Sequence, residues 1–259
     1  MKQTPPPAAR TNRAMALFPV PPFLVAVLLL SLPANGNVDP SFKDLSTALP
    51  QVQEEIVNKH NELRRAVSPS ASDMVKMEWN SAAADNARTW ADQCQYKHSL
   101  KEERQTTVNC GENLYMSSAP SSWSAAIQHW YDESKNFQFG KGPLSPTDVV
   151  GHYTQVVWHT SFQVGCAAAY CPNQPGLKYF MVCQYCPAGN NLARIYSPYK
   201  NGDPCASCPD HCEDGLCTNG CKYEDRYSNC ESLKSSLSCD HYMVKENCLA
   251  SCNCEDKIH

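Results

Sequence analysis

The sequence predicts an α+β protein in which helices pack in layers on both faces of a mainly antiparallel sheet, followed by a small region held together by disulfides. Three observations lead there. Three amphipathic helical stretches precede three strand-like ones. Within the strand-like part, Cys166 and Cys171 are an odd number of residues apart, as are Cys183 and Cys186, so each strand presents one sulfur to each sheet face. The 16 cysteines are also unevenly placed: six are spread from Cys94 to Cys186, and ten crowd between Cys205 and Cys254.

The chain opens with Lys2, Arg10 and Arg13 ahead of the apolar run "FLVAVLLLSL" and the small-residue site "ANG". That run is too short to span a bilayer, and the pattern is that of a secretory signal over residues 1–36, with Met15 as a second candidate start. No later stretch is long and apolar enough for a membrane anchor. Secretion agrees with an even cysteine set, which an oxidising compartment pairs.

In "QVQEEIVNKHNELRRAV", Val52, Ile56, His60, Leu63 and Val67 recur at helical spacing, with Pro50 before the run and Pro69 after it. His60 falls on the apolar face and reads as a core histidine whose hydrogen bonds are satisfied. Asn80 is a cap for "SAAADNARTWADQC", in which Ala83, Ala87, Trp90 and Cys94 share a face. Ser122 precedes "WSAAIQHWYDE", with Trp123, Ile127 and Trp130 or Tyr131 turned inward. The segments "HYTQVVW", "VGCAAAYC" and "KYFMVCQYC" are rich in β-branched and aromatic residues, are separated by Gly, Pro and Asn, and read as strands.

The usual catalytic constellations are missing: there is no H-E-x-x-H, no G-x-S-x-G and no phosphate-cradling glycine loop. A cysteine nucleophile is disfavoured where every thiol has a partner, and Ser124 reads as a surface serine. What remains is a scattered set: His98, Glu112 in "CGENLY", Glu133 in "WYDE", and His152. His129 and His159 read as solvated. After the signal, 19 basic residues face 26 acidic ones, which gives no basis for nucleic-acid or anionic-membrane binding. No N-x-[ST] site occurs, so N-glycosylation is not expected.

The segments "GHYTQVVW", "CGENLY", "HNELRR" and "VCQYCPAGN" resemble the signature segments of the CAP superfamily, which includes the cysteine-rich secretory proteins, plant pathogenesis-related proteins and insect venom antigens. The tail beginning "PCASCPDHCEDGLCTNGC" is similar to that of the cysteine-rich secretory proteins in particular. The resemblance implies a three-layer α-β-α sandwich over residues 37–186, a linker over 187–204, a disulfide hinge over 205–220 and a module over 221–259 like the sea-anemone potassium-channel toxins. It implies the pairs Cys94–Cys171, Cys110–Cys186, Cys166–Cys183, Cys205–Cys212, Cys208–Cys217, Cys221–Cys254, Cys230–Cys248 and Cys239–Cys252. It also implies that His98, Glu112, Glu133 and His152 line a solvent-open cavity where the two histidines bind Zn2+ weakly and reversibly.

Two imidazoles form an incomplete zinc shell, since a catalytic site ordinarily has three protein ligands and water. Glu112 or Glu133 completes it or orients the histidines, and a hydrogen-bonded polar cluster without metal is an equal reading. By family resemblance the function is non-enzymatic binding of extracellular partners, among them calcium or potassium channels and sperm-surface proteins. A zinc-dependent peptidase and a sterol or lipid carrier are the alternatives. The tail from Cys205 carries five Lys and Arg against ten Asp and Glu, so a lysine plug for an acidic cation-channel mouth is disfavoured. Contact with a channel's outer surface through Tyr223, Tyr227 and Tyr242 is the expected mode.

Overall fold

The computed structural model describes residues 42–259, which lie within one compact unit. The signal assigned to residues 1–36 lies outside the described residues. A 3-10 turn at Phe42–Leu45 leads into α1 (Pro50–Arg65), β1 (Glu78–Trp79) and α2 (Ser81–Ala91). After a 3-10 turn at Lys101–Arg104 come β2 (Gly111–Ser117), α3 (Trp123–Asp132), a 3-10 turn at Glu133–Asn136 and the short hairpin β3 (Phe137–Gln138) and β4 (Gly142–Pro143). Helix α4 (Gly151–Val156) precedes the long strands β5 (Gln163–Tyr170) and β6 (Tyr179–Cys186). The tail holds β7 (Cys212–Glu213), β8 (Leu216–Cys217), α5 (Cys230–Leu237), α6 (Tyr242–Asn247) and α7 (Leu249–Asn253).

The main sheet runs β1-β5-β6-β2, parallel only between β1 and β5. Side-chain alternation divides it cleanly. Val164, Cys166, Ala168, Met181, Cys183 and Tyr185 face the core shared with α1, α3 and α4. Ala167, Ala169, Phe180, Val182 and Leu114 face α2. The three-layer α+β architecture is therefore as the sequence predicts. The α2 layer sits unusually close at Gly165, where a Cβ would lie 2.2 Å from the Ala84 backbone nitrogen and 2.4 Å from the Asn80 carbonyl oxygen. Only glycine lets the helix start rest on the strand there.

The helices form where the pattern puts them. Asn80 accepts from the Ala83 amide and Ser122 from the Ala125 amide, each filling a first-turn vacancy with its side-chain oxygen. Val52, Ile56, Leu63, Ala83, Ala87, Trp90, Trp123, Ile127 and Trp130 are buried, while Tyr131 is only partly so. The large rings keep their N–H groups satisfied: Trp123 donates to Leu45 O and Trp130 to Leu114 O, both at 3.0 Å.

All 16 cysteines are bridged, Cys94–Cys171, Cys110–Cys186, Cys166–Cys183, Cys205–Cys212, Cys208–Cys217, Cys221–Cys254, Cys230–Cys248 and Cys239–Cys252. Cys166 and Cys183 are register partners on β5 and β6. Cys171 and Cys186 turn to the α2 side, where Cys186 and Cys110 pack on Ala83.

Three expectations are corrected. "HYTQVVW" is not a strand but α4 and its exit, for a reason given with the site below. "GENLYMS", not assigned as a strand from sequence, is β2, an edge strand whose Glu112, Leu114 and Met116 alternate with Asn113 and Tyr115. His159 is not solvated: it is 7% exposed, its Nδ1 lies 2.9 Å from an Asp73 carboxylate oxygen, and the Pro198 carbonyl accepts its amide.

The hinge packs on the larger body. Leu216 is 1% exposed and belongs to the same core as α1 and α3. The Cys217 amide donates to Met74 O and the Lys76 amide to Cys217 O, both at 2.8 Å. Arg65 pairs with Asp214 at 3.2 Å and Lys76 pairs with Glu213. Beyond it, the last three helices enclose Val244, Ala250 and half-cystines, with Leu233 and Tyr223 partly buried against them, so the disulfides do much of the work of a core.

Candidate functional site

Three of the four candidate residues sit at the start of an element and the fourth in a loop. His98 lies in the loop after α2, which is anchored by the Trp90 indole N–H donating to Lys97 O at 2.9 Å. Glu112 is the second residue of β2, Glu133 opens the 3-10 turn after α3, and His152 is the second residue of α4.

The four form two His–Glu pairs. Glu112 Oε1 meets His98 Nδ1 at 2.9 Å and also accepts the Ser99 amide at 3.0 Å, while Oε2 accepts the Ser99 hydroxyl at 2.7 Å. Arg104 Nη1 lies 3.5 Å from Oε1, and Gln184 Nε2 donates to Oε2 at 3.4 Å. Burial disfavours the Glu112 anion, but the bonds from His98 and Ser99 and the Arg104 charge outweigh it and hold the carboxyl below its usual range. The Glu112 side chain is fully buried and that of His98 is 56% exposed, so the carboxylate works from beneath the ring.

Glu133 Oε1 meets His152 Nδ1 at 2.6 Å, and Oε2 accepts the amides of His152 and Tyr153 at 2.9 and 3.1 Å. Those amides are first-turn donors of α4 with no cap from Val150. At the other end, the fully buried Arg64 of α1 donates to the carbonyls of Val156, Trp158 and His159, and also to Val75. An anion at the N-terminus and a cation at the C-terminus, both from other elements, thus satisfy the backbone of a six-residue helix whose composition is strand-like. Glu133 has one oxygen on the helix and one on the histidine.

Strand β2 links the pairs, because Glu112 faces one side of the sheet edge and Asn113 the other, where its Nδ2 donates to His152 O at 3.0 Å. Asn190 completes the clamp: its Nδ2 donates to Gly151 O at 2.8 Å and its Oδ1 accepts from Thr154 Oγ1 at 2.7 Å. Sequence reasoning missed Ser99, Arg104, Asn113, Gln184 and Asn190. Asn113, Gln184 and Asn190 stand inside the quoted motifs "CGENLY" and "VCQYCPAGN", so the signal was present, but their roles need contacts that only folding makes.

With Nδ1 of each ring turned to a carboxylate, the neutral tautomer that donates from Nδ1 leaves an Nε2 lone pair on both histidines. Each ring therefore keeps one nitrogen able to ligate a metal. Among the described residues, the one group of three or more His, Cys or carboxylate ligand atoms within mutual reach is the sulfurs of Cys205, Cys208 and Cys217, and all three are in disulfides and so are not thiolates. Ser124 is no free nucleophile: its hydroxyl donates to Glu55 Oε1 at 2.7 Å and its amide to the same oxygen at 2.9 Å. His60 is a buried core residue, bonded to Ile56 O and the Tyr185 hydroxyl, and His129 is exposed beside Tyr115.

Comparison with known proteins agrees with this architecture. The family model described as "Cysteine-rich secretory protein family" matches residues 57–185, and the one described as "Crisp" matches residues 205–259. The chain is 65% identical over 245 residues to cysteine-rich secretory protein 3 of Homo sapiens, covering 95% of this chain and 100% of that protein. It is 51% identical over 226 residues to the cysteine-rich venom protein helothermine of Heloderma horridum horridum, covering 87% of this chain and 93% of the relative. Among solved structures, NaASP2, crystallised with Zn2+, shares 29% identity and a TM-score of 0.54 over 66% of this chain and 96% of its own. A CAP-type sandwich followed by the tail matched as Crisp, with such identity along nearly the whole length, makes this chain a member of the cysteine-rich secretory protein family.

Proposed function

We propose that this protein is a secreted, non-enzymatic binding protein whose cysteine-rich tail engages extracellular partners, cation channels among them, by surface contact. The observation that carries this reading is a disulfide-held tail that points aromatic side chains outward: Tyr242 is 72% exposed and Tyr227 is 44% exposed. Tyr223, expected beside them, is half-buried against Cys221, Ala250 and Cys254, and so is not part of that surface. The acidic tail favours contact beside a channel mouth over a cation-like plug. Likeness to a venom protein supports the reading, and no helix among the described residues is long and apolar enough to cross a membrane. Whole-cell recording of calcium and potassium currents tests it. The full chain reduces a current and Tyr242→Ala weakens the effect several-fold; a chain without effect on any current removes the channel reading.

The two histidines support a second reading, weak and reversible zinc binding. His98 and His152 supply Nε2, and Glu112 and Glu133 orient the rings through Nδ1. Zinc bound there would supply a positive centre within reach of solvent, since the His98 and His152 side chains are 56% and 30% exposed. Calorimetry then gives weaker zinc binding for His98→Ala and for His152→Ala. Affinity falls on acidification because protonated imidazole does not coordinate. Parental zinc affinity in the double variant places the metal elsewhere.

A further inference from the structure

A cleft of about 670 Å³ opens between the segment after β6, the exit of α4 and the start of the cysteine-rich tail. It has the volume of a ligand site, and none of the four residues discussed above lines it. Trp158, Gly189, Tyr223, Glu224 and Tyr227 form much of its wall. The wall is tightly built: a Cβ on Gly189 would lie 2.7 Å from the Trp158 ring.

The charged and titratable groups around the cleft, besides Glu224, are Lys101, Arg194, Asp225, Arg226, Glu231 and His259. Most are engaged. Asp225 accepts the amide and hydroxyl of Ser251, Glu231 lies 3.6 Å from His259, and Arg226 reaches Asn247 at 3.5 Å. Arg194 rests on the Trp158 ring at 5.8 Å, and Lys101 is exposed. Glu224 is different. Among the described residues no Lys, Arg or His nitrogen pairs with it. Burial pushes its carboxyl up to about 7 against the pull of the Ala188 backbone, the signature of an anion without a counter-charge.

The aromatic walls already show what they favour. Arg194 lies over Trp158, and Lys222 lies over Tyr223 at 5.3 Å, whereas Tyr227 is exposed and no cation among the described residues lies over its ring. We propose that the cleft binds a basic side chain of an extracellular polypeptide, a guanidinium or alkylammonium group that pairs with Glu224 and rests against Tyr227. A calcium ion is a poorer occupant, because it takes six to eight oxygen ligands and Asp225 is already committed to Ser251. The site is independent of the zinc reading; it shares Tyr227 with the proposed channel-facing surface, but Tyr242 lies outside it.

The test is calorimetric titration of the full secreted chain with acetyl-arginine amide and with its neutral counterpart acetyl-citrulline amide, at pH 6 and pH 8. A carboxyl with a pKa of about 7 goes from about one-tenth to about nine-tenths ionised over that range, so the arginine compound binds about tenfold more tightly at pH 8. The citrulline compound binds at least tenfold more weakly than the arginine compound at pH 8. Glu224→Gln lowers arginine affinity and flattens its pH dependence, and Tyr227→Ala lowers affinity several-fold at both pH values. Equal binding of the two compounds, no binding of the arginine compound, or an unchanged pH profile in Glu224→Gln overturns the proposal. Displacement of the arginine compound by an equal concentration of calcium also overturns it and assigns the cleft to a metal.

Discussion

His60 shows how a single buried residue sets a property of the whole fold. Its ring is fully buried, with Nδ1 2.8 Å from Ile56 O and Nε2 2.9 Å from the Tyr185 hydroxyl. Burial, with the Arg64 charge nearby and against the pull of the Ile56 carbonyl, lowers its pKa from 6.5 to about 4. Between those values the unfolded chain takes up a proton that the folded one refuses, so stability falls as the pH drops from 6.5 towards 4, by about 3 kcal/mol in all. Glu112 and Asp73, whose carboxyls are held below their ordinary range, add a further loss at lower pH as they are forced to protonate. Melting temperature measured by circular dichroism therefore declines on acidification in two stages. In His60→Gln the stage between pH 6.5 and 4 is flattened while the lower one stays; an unchanged slope would show that His60 is not its source.

At the scale of elements, legibility followed the source of stabilisation. Helices α1, α2 and α3 carry their own evidence: apolar residues at helical spacing, and in α2 and α3 a cap at the first turn supplied by Asn80 or Ser122. Strands β5 and β6 were equally plain from composition. Helix α4 was not, because β-branched and aromatic residues in "HYTQVVW" favour a strand, and its amides and carbonyls are satisfied by Glu133 and Arg64, far away in the chain. Strand β2 was missed for a related reason: its alternation mixes buried Glu112 and Asn113 with apolar residues, which reads as polar until their partners are known. The same contacts make the candidate site. Residue types at His98, Glu112, Glu133 and His152 were visible in the sequence through family resemblance, but which glutamate serves which histidine is decided by the sheet edge and the start of α4.

For the whole molecule, cysteine density draws a boundary at the linker, yet packing attaches the hinge to the larger body. Leu216 fills the main core, and the backbone of Cys217 bridges Met74 and Lys76. A chain ending at Pro204 loses that plug and leaves Val75 and Met74, each 1% exposed in the intact protein, uncovered. Losing the burial of one leucine alone costs about 2–3 kcal/mol. A fragment of residues 37–220 is thus expected to melt several degrees above one of residues 37–204, while residues 221–259, closed by three internal disulfides, stay protease-resistant until reduced. Equal melting of the two longer fragments would mean that the hinge adds nothing to the body.

What the sequence by itself determined was everything written in local or periodic form. The amphipathic faces, the capping residues, the parity of the cysteines and the density shift at Cys205 suffice for a layered α+β domain with a disulfide-rich tail, since each depends on neighbours within a few residues. Tertiary structure alone decided whatever depends on a partner distant in the chain. It made α4 a helix by bringing a carboxylate and a guanidinium to its two ends. It turned His159 inward by placing Asp73 beside it, and it left Glu224 in a cleft where, among the described residues, no Lys, Arg or His nitrogen pairs with it. Charge and hydrogen-bond partners act through space over a few ångströms, and chain separations such as the 86 residues from Asp73 to His159 carry no periodic trace of that proximity.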